Sequence, residues 1–402
     1  MTNSIASISH QICTGCKMCA DLCPKQAISF EESVGFWIPK VDMGKCVSCG
    51  LCSKLCPSLN EPQPTPKAPV TCYGAKSKDE DIRFNSTSGG VFSVLAQRWI
   101  EEGGVCYGAV YGSDMLVRHA SCNTKQGVDA LRQSKYVQSD TQGIYAAVKD
   151  DLRSNIRVMF CGTPCQVEAL KAYLHKPYDG LFTMDFFCLG VCSPLVYRRY
   201  IEGLENRYGS KAVKVWFKHK RKGWRSIGVS VRFANGREYF RTGSNDLFMR
   251  AFVGDFLSLR PSCAHCHYRK IPHCSDLTLA DFWGIEYVNP EMDDNMGLSA
   301  VLVNTEKGRK LFASVTDKLD SFVTDMESVI RHNDSALHAK PPHPDNERFI
   351  TYLNTHSLKE AMEKYGSSMN KLKSKWRKAK RMVKALFGHK SGPNRATYSS
   401  HN

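Results

Sequence analysis

The sequence lacks the features that would direct a chain into or across a membrane. No stretch approaches about 18 uninterrupted apolar residues, so no membrane-spanning helix is predicted. Residues 1–6 show no basic start followed by a long apolar run, which argues against a signal peptide. We therefore expect a cytoplasmic protein whose cysteines stay reduced and serve metals or catalysis rather than disulfides.

Acidic side chains are absent from residues 364–402, which hold 11 Lys and Arg and so carry +11 of the net charge of +16. The remaining +5 on the rest of the chain does not predict a nucleic-acid partner. Within 357–387, basic side chains lie beside an apolar stripe that includes Leu372, Trp376 and Val383, which is typical of a helix on a membrane surface. The tail, 361–402, is thus predicted to be a basic helix in peripheral contact with the inner membrane face. A solvated or disordered tail is an equally good interpretation.

Cysteine is abundant, with 18 residues, and eight of them form a repeated pattern. Each copy reads Cys-x2-Cys-x2-Cys-x3-Cys-Pro, and the copies are offset by 33 residues. This spacing is typical of a domain with two [4Fe–4S] clusters, in which the fourth cysteine of each run ligates the other cluster. Zinc sites and disulfides are weaker alternatives, since zinc sites prefer cysteine pairs with longer gaps. The sequence predicts one cluster on Cys13, Cys16, Cys19 and Cys56, and another on Cys46, Cys49, Cys52 and Cys23.

Composition and periodicity divide the chain into segments. Residues 1–60 form the small ferredoxin-like dicluster domain, with short strands near 27–30 and 36–38. Residues 61–70 hold four prolines and predict a semi-stiff linker that sets the reach of the clusters, or a simple domain boundary. Residues 71–360 alternate strand and helix patterns, which indicates an α/β (α+β) domain. Its predicted strands are 105–110, 158–161, 181–187 and 277–280, its helices are 89–102, 143–154, 164–175 and 194–207, and a hairpin over 213–242 turns at Asn235-Gly236.

Three stretches of this domain carry residue types suited to chemistry. Residues 85–91 place Ser, Thr and Gly at a helix start, where N–H groups suit a phosphate, although an ordinary helix cap uses the same residues. Residues 160–166 put Cys161-x3-Cys165 between a strand and a helix, which fits a metal-ligand loop, a redox dithiol or a tight turn. Cys263-x2-Cys266 is a metal or redox signal, and residues 281–284 that follow it fit an aromatic strand end.

Six short motifs occur in the order found in one known family. They are residues 88–93 (Ser-Gly-Gly-Val-Phe-Ser), 134–139 (Ser-Lys-Tyr-Val-Gln-Ser), 162–166 (Gly-Thr-Pro-Cys-Gln), 185–191 (Asp-Phe-Phe-Cys-Leu-Gly-Val), 260–266 (Arg-Pro-Ser-Cys-x2-Cys) and 275–284 (Ser-Asp-Leu-Thr-Leu-Ala-Asp-Phe-Trp-Gly). Over residues 10 to about 290 the chain resembles the beta-subunit family of coenzyme F-420 (deazaflavin) hydrogenases and dehydrogenases, preceded by a bacterial-type dicluster ferredoxin domain.

The resemblance implies two further cofactors, FAD and a third [4Fe–4S] cluster. N–H groups and a lysine suit the pyrophosphate of FAD, while an aromatic ring and an amide suit its ring system. The flavin contacts carried over from the family are Ser86, Ser88, Gly89, Gly90, Lys135, Tyr136, Gln138, Thr163 and Pro164. The ligands carried over for the third cluster are Cys165, Cys188, Cys263 and Cys266.

The remaining cysteines do not follow the family pattern. Cys161, Cys192 and Cys274 stand where many relatives have other residues, and Leu189 replaces a histidine. Cys161 or Cys274 is therefore an alternative ligand for the third cluster. Three others are predicted to be buried small apolar residues, namely Cys72, Cys106 and Cys122.

The predicted function is that of an iron–sulfur flavoprotein oxidoreductase with a ferredoxin or reductase as redox partner. FAD would exchange electron pairs with a small organic acceptor, either coenzyme F-420 or a substrate of a surface-polysaccharide pathway, and either direction of flow fits. Lys135 and Asp281 are candidate catalytic residues, although Lys135 is better explained as a cofactor contact. The alternative is a non-enzymatic subunit that feeds electrons to a partner protein.

Overall fold

The computed structural model describes residues 4–60, 70–341 and 343–367. In the N-terminal part, β1 (Ile28–Ser33) and β2 (Phe36–Val41) pair in antiparallel register. Two short helices, α1 (Met18–Leu22) and α2 (Leu51–Lys54), each contain the third cysteine of a run. The core here is small and is formed largely by Ile5, Ile28 and cysteine side chains. So little apolar surface gives limited stability, which is the usual reason that such domains depend on bound metal.

An eight-stranded mixed sheet forms the centre of the body. Its strands are β3 (Thr71–Ser77), β4 (Val105–Tyr111), β5 (Val117–Cys122), β6 (Val158–Cys161), β7 (Leu181–Phe186), β11 (Leu277–Asp281), β12 (Ser299–Val303) and β13 (Leu319–Thr324). They lie in the order β13-β3-β12-β11-β7-β6-β4-β5, with β11, β7, β6 and β4 parallel and the outer strands antiparallel. The parallel strands end at one edge, where open α/β sheets place ligands.

A second, three-stranded sheet packs beside the first. It is an antiparallel meander of β8 (Ala212–His219), β9 (Gly228–Phe233) and β10 (Glu238–Thr242). The predicted hairpin is its second half, and the turn lies at Asn235-Gly236, where Gly236 has a φ of 80° and donates its N–H to Phe233 O at 2.9 Å. The first strand, β8, extends the predicted hairpin into a meander.

Helices cover both faces of the large sheet. Met159 of β6 faces a core built with α4 (Val91–Glu101) and α11 (Glu306–Ala313), whereas Val158 and Phe160 face a core built with α6 (Ile144–Arg153) and α7 (Pro164–Leu174). Burial on both faces explains why β6 is a continuous apolar run. The other helices are α3 (Glu80–Phe84), α5 (Lys125–Leu131), α8 (Pro194–Tyr208), α9 (Leu247–Met249), α10 (Ile285–Val288), α12 (Met326–Ile330), α13 (Asn346–Tyr352) and α14 (Leu358–Tyr365).

The strands and helices predicted for the body are present with bounds that agree within two residues. Strands β3, β5, β12 and β13 were not predicted. The predicted tail helix begins as α14 and ends at Tyr365. The rest of the tail, including its apolar stripe, and residues 61–69 lie outside the described residues. In the part of the chain that is described, no helix is both long and apolar enough to span a membrane.

The N-terminal part is anchored on the body by buried side chains. Met18 and Phe36 are each 1% exposed and pack into two different cores of the body. Thr141 Oγ1 and Tyr145 Oη donate to Cys16 O at 2.7 and 2.9 Å. Direct contacts therefore hold this part in place, in addition to any constraint from residues 61–70.

Candidate functional site

Four cysteines from both runs lie together on the side of the N-terminal part that faces the body. Burial and the neighbouring thiols of Cys56 and Cys13 raise the pKa of Cys16 to about 12. Burial and the thiols of Cys16, Cys13 and Cys56 raise the pKa of Cys19. Thiols that oppose each other's ionisation in this way suit a cationic metal core, which favours the thiolate. We call Cys13, Cys16, Cys19 and Cys56 the inner set.

The other four cysteines of the repeat line a small cavity on the far side of the N-terminal part. This outer set consists of Cys23, Cys46, Cys49 and Cys52. Cys49 is exposed, and Val47 and Leu51 beside it are 59% and 38% exposed. In both sets, three cysteines come from one run and the fourth comes from the other run. This is the grouping that the spacing predicts.

The sequence repeat is also a repeat of backbone conformation. Gly15 and Lys17 have φ values of 67° and 61°, and their equivalents 33 residues later, Ser48 and Gly50, have values of 53° and 74°. These left-handed residues curl each loop so that its cysteines converge. Backbone N–H groups then point at sulfur, as for Gly15 N to Cys13 Sγ at 3.4 Å.

A cavity of about 300 Å³ opens in the body at the carboxyl ends of the parallel strands. Cys165 opens α7, Cys188 follows β7, and Cys263 and Cys266 come from a turn that includes the 3-10 segment Pro261–His265. All four line the cavity and influence one another's ionisation, since the pKa of Cys188 is raised to about 12 by burial and by Cys263 and Cys266. These four residues are called the cavity set.

The three cysteines that depart from the family pattern have electrostatic neighbours other than the cavity set. Cys161 lines the cavity, but the charges that act on it are those of Asp185 and Lys135. Cys274 faces Glu168 and Lys171, and Lys171 donates to its carbonyl oxygen. Cys192 is fully buried, with Sγ 3.1 Å from Ser258 Oγ.

The cysteines predicted to be small apolar residues follow that prediction in part. All 18 cysteines are free. Cys72 and Cys106 are buried as predicted, whereas Cys122 is only half-buried. In the described ranges, no three His, Cys, Asp or Glu side chains are close enough to hold a single metal ion. Ligands of a cubane bind different irons and are spread more widely, so four-cysteine sets suit a cluster better than an ion.

Most residues that the resemblance implies as flavin contacts line this same cavity. They are Ser86, Ser88, Gly90, Lys135, Tyr136, Gln138, Thr163 and Pro164. Gly89 lies behind the wall instead. Its N–H donates to Ser299 Oγ at 3.1 Å, and a Cβ there would meet Ala75 O at 2.3 Å. Gly89 therefore allows its loop to pack closely against β3 and β12.

The loop before α4 offers backbone N–H groups to the cavity, because its serine hydroxyl groups already donate hydrogen bonds within the protein. Ser86 Oγ donates to Ile82 O at 2.7 Å and Ser88 Oγ donates to Leu298 O at 2.5 Å, so both hydroxyl protons are engaged. Helix α4 begins after Gly90, whose φ is 88°, and no described side chain caps it. The N–H groups of Val91 and Phe92 have no acceptor among the described residues and lie at the cavity wall, where they suit a phosphate, whereas Ser93 N–H donates to Gly90 O at 3.0 Å.

Lys135 adds a titratable cation to this wall. Its Nζ donates to Arg132 O at 2.8 Å and lies 3.4 Å from Leu131 O and Gln133 O. Burial lowers the pKa of Lys135 to about 7, and Cys161 opposes the shift only in part. An anion in the cavity would raise this pKa and hold the lysine charged.

Gln138 lies between the cavity and the inner set. Its Nε2 donates to Thr14 O and Gly15 O, both at 3.3 Å, and its Oε1 accepts from Arg260 at 2.8 Å. The amide that the resemblance assigns to a flavin ring therefore also holds the first cysteine loop. A side chain at Gly15 would displace this amide, since a Cβ there would meet Gln138 Nε2 at 2.2 Å.

Asp281 lines the cavity at the end of β11, and its partner is a residue that sequence reasoning missed. Lys218, on β8, forms an ion pair with Asp281, and the two side chains are only 13% and 12% exposed. Burial disfavours the ammonium, but Asp281 and Tyr136 outweigh it, so the pKa of Lys218 is raised. Lys218 lies outside every motif of the family, and only its apolar-polar alternation in β8 was visible in the sequence.

Two tyrosines connect the inner set with the cavity set. Burial, Cys165, Cys16 and Cys56 together raise the pKa of Tyr268. Burial, Cys16 and Cys165 likewise raise the pKa of Tyr145. Each ring thus has cysteines of both sets as neighbours, and Cys16 itself lies on the cavity wall. The two sets are adjacent, with little protein between them.

Two stretches of the chain match the models of known families. Residues 156–328 match the model for the C-terminal region of the beta subunit of coenzyme F420 hydrogenase/dehydrogenase, and residues 12–60 match the model for a 4Fe-4S dicluster domain. Fold and site therefore define an iron–sulfur protein of the oxidoreductase, electron-transfer class. Residues 156–328 therefore resemble the coenzyme F420 hydrogenase/dehydrogenase beta-subunit family, and a region matching a 4Fe-4S dicluster domain precedes them.

Individual relatives add little to the family match. No curated protein matches the chain. Among solved structures, a chain of the xenon-derivatised F420-reducing [NiFe] hydrogenase complex from Methanosarcina barkeri is 19% identical, with a TM-score of 0.45 over 75% of this chain and 95% of that chain.

Proposed function

We propose that this protein is an iron–sulfur flavoprotein oxidoreductase, which passes electrons between the dicluster domain and FAD in the large cavity. The observation that carries the proposal is that cysteines of two sets and two candidate flavin-binding loops line the same cavity. Cys16 of the inner set, all four cysteines of the cavity set and the loops that contain residues 86–92 and 134–139 line one cavity. A group bound in this cavity would contact metal-binding residues on one side and phosphate-binding residues on another.

The cysteines fit three [4Fe–4S] clusters by the chemistry of their donors. The inner, outer and cavity sets each bring four free thiols together. Clusters held by these thiols would exchange single electrons. The route suggested by adjacency runs from the outer set to the inner set, where Cys52 is a neighbour of Cys19, and then past Tyr145 and Tyr268 to the cavity set.

The cavity wall fits FAD through complementary groups. The open N-terminus of α4 and Lys135 suit the pyrophosphate, and Tyr136 offers an aromatic face. When bound, FAD would convert single electrons into pairs for an organic acceptor, for which coenzyme F-420 and a polysaccharide-pathway substrate are the proposed classes. The paired Asp281 and Lys218 lie on the same wall and are placed to hold or supply a proton.

Anaerobic iron, sulfide and flavin analysis tests the proposal. We expect about twelve irons, from three clusters, and one FAD per chain. The double variant Cys263→Ser/Cys266→Ser should retain about eight irons, because only the cavity set is lost. Cys274→Ser is the matched control and should retain all of them, since Cys274 has electrostatic neighbours other than the set. Eight irons in the unaltered protein would refute the third cluster, and absence of flavin would refute the reductase.

A second function, transfer of electrons to a partner protein, is favoured by the rim of the cavity. Phe186 lines the cavity and is 39% exposed, and Leu337, which follows the lining residue Ala336, is 44% exposed. Exposed apolar side chains at a rim are typical of protein contact. Turnover with a small acceptor as sole partner would support the enzyme, whereas turnover only after a partner chain is added would support the electron-transfer role.

The basic tail is proposed to contact anionic lipid. The proposal rests on the charge of residues 364–402 alone. Sedimentation with vesicles that contain anionic lipid should require these residues. A variant truncated before residue 368 that sediments as strongly as the intact protein would refute lipid contact.

A further inference from the structure

Arg260 buries a full positive charge between the inner set and the cavity set. It donates a hydrogen bond to the loop of Cys13, and its charge opposes the rise in the pKa of Cys263 that burial causes. It is the largest of the fully buried side chains in the described part of the chain and is 1% exposed. Its guanidinium donates to Cys13 O at 2.8 Å, Gln138 Oε1 at 2.8 Å and Trp37 O at 3.0 Å. It also lies 5.2 Å from the centroid of the Phe36 ring. These partners engage each of the three guanidinium nitrogens, through three of its five N–H donors, but none of them carries a negative charge.

Most other buried cations in the described residues have carboxylate partners. Lys17, 4% exposed, lies 2.8 Å from Asp140, and Lys218 pairs with Asp281. Lys220, which is 2% exposed, donates only to carbonyl oxygens, but burial lowers its pKa to about 7, so it can lose its charge. No described carboxylate lies within salt-bridge distance of Arg260, whose guanidinium remains protonated at any pH at which proteins fold. A buried charge without a counter-charge is strongly disfavoured, so an anion is needed close to this position.

We propose that a cluster held by the inner set is this anion, and that Arg260 is a positioning residue that favours its reduced form. A cubane with four thiolate ligands is negative overall and gains one more negative charge when one electron arrives from an external iron–sulfur electron carrier. Arg260 stabilises that added charge more than the oxidised state, because the attraction grows with the charge it faces. Arg260 keeps its proton, so the step moves one electron and no proton. The inference rests on the proposed ligand assignment of the inner set.

The outer set has no buried cation among the described residues, and Lys25, which lines its cavity, is exposed to solvent that screens its charge. The residue equivalent to Cys13 in the repeat is Cys46, and no described side chain donates to Cys46 O. Arg260 would therefore raise the potential of the inner cluster relative to that of the outer one, against the opposing effect of the inner cluster's burial. This effect of Arg260 favours movement of electrons from the outer set inward, toward the cavity.

The experiment is a redox titration followed by EPR on the full protein, which reports potential rather than turnover. Cys49→Ser, which alters only the outer set, identifies the outer signal. In Arg260→Gln, we expect the ratio of reduced to oxidised inner cluster at a fixed potential to fall roughly tenfold, equivalent to about 59 mV for one electron. The outer cluster should stay unchanged. Arg199→Gln is the control, since Arg199 also donates to backbone carbonyls, those of Leu353 and Asn354, but its charge is paired with Glu202 at 2.9 Å.

The outcomes separate charge from structure. An Arg260→Gln protein with full iron content and an unaltered inner potential would overturn the proposal. If Arg260→Gln loses its inner iron, Arg260→Lys decides, because it keeps the charge with fewer hydrogen bonds. If the potential of the inner cluster in Arg260→Lys is close to that of the unaltered protein, the charge of Arg260 is responsible and the proposal is supported. If the ratio of reduced to oxidised inner cluster falls tenfold in Arg260→Lys, the proposal is overturned. Iron analysis of Cys16→Ser tests the ligand assignment separately, because the assignment requires this variant to lose about four irons.

Discussion

The inner and outer sets have the same cysteine spacing and opposite surroundings. The body covers the inner set, in which Cys13, Cys19 and Cys56 are buried, and its side chains bind the loop that carries Cys16. The outer set faces away from the body, and Cys49 is exposed. On the proposed route, one motif would thus provide a site for exchange with an external carrier and a site for transfer inward. The difference arises from which side of the small domain is covered.

The surface around the outer set is apolar at its centre and basic around it. Val47 and Met43 are 59% and 52% exposed. Lys25, Lys45 and Lys54 lie nearby, and among the described residues only Lys45 has an acidic partner, Asp42 at 3.7 Å. An apolar centre with a charged rim is typical of protein interfaces, and the sign of the charge favours an acidic electron carrier.

The largest difference between the two sets is expected when each loses one ligand. Cys16→Ser and Cys49→Ser should each lose about four irons. Cys16→Ser should lower the free energy of unfolding by at least about 3 kcal/mol, because it also loosens the interface with the body. Cys49→Ser should cost markedly less. Iron analysis and thermal unfolding under anaerobic conditions measure both effects, and equal losses of stability would remove the structural distinction between the sets.

The equivalent residues Gly15 and Ser48 provide a matched pair of substitutions. In Gly15→Ala, the added Cβ would meet Gln138 Nε2 at 2.2 Å on a backbone with a φ of 67°. We expect a destabilisation of about 2–4 kcal/mol. Ser48→Ala changes an exposed residue that already has a side chain at a φ of 53°, and should cost less than about 0.5 kcal/mol. Denaturant unfolding measures the loss of stability in both variants. Equal losses would show that the body does not constrain the inner loop.

A pH titration of FAD binding extends the comparison from the inner set to the cavity beside it. The pKa of Lys135 in the free protein is about 7. Below this pH the lysine is charged before FAD binds, so affinity should be constant. Above it, binding requires proton uptake, and affinity should fall by up to about tenfold per pH unit until the pKa of the complex is reached.

The variant Lys135→Met is the control for this titration. It should bind FAD more weakly at pH 6 and show little change of affinity up to pH 9. Fluorescence titration of the flavin-depleted protein measures both. An affinity in the unaltered protein that is the same at pH 6 and pH 9 would contradict a contact between Lys135 and the pyrophosphate.

The smallest expected effect concerns the lysines around the outer set. Lys25→Glu/Lys45→Glu/Lys54→Glu should slow reduction by an acidic two-cluster ferredoxin about tenfold at low ionic strength and much less at about 1 M salt. Reduction by dithionite should be unchanged, since a small reductant needs no docking surface. Lys214→Glu/Lys222→Glu/Lys310→Glu alters the same net charge on the body and should have little effect. Equal slowing by the two triple variants would show that only net charge matters.

The sequence predicted local features well and long-range contacts poorly. Ligand spacing within each cysteine run is local, so the grouping of eight cysteines into two sets could be read directly from the repeat. The resemblance placed Gln138 at the cavity, but its hydrogen bonds to Thr14 and Gly15 connect residues more than 120 positions apart. Contacts of this kind depend on how the small domain docks, which no motif records.

The contacts of Asp281 and Gly89 could not be predicted from the sequence either, because they depend on how the strands are arranged. Lys218 pairs with Asp281 across 63 residues because the meander packs beside the carboxyl end of β11. Gly89 belongs to a motif that suggests phosphate binding, yet it packs against β3 and β12, neither of which was predicted. Where an unpredicted strand forms one side of a contact, the role of the residue on the other side could not be predicted either.

The two hydrogen bonds to the carbonyl oxygen of Cys16 have a kinetic consequence. Thr141 and Tyr145, which belong to the body, donate hydrogen bonds that fix the loop of Cys16, and Tyr145 is fully buried. A loop clamped in this way changes shape little when charge changes nearby, so electron exchange there requires little nuclear reorganisation. Exchange between the inner and cavity sets should then be fast, and the overall rate should be limited by the encounter with the external carrier at the outer set.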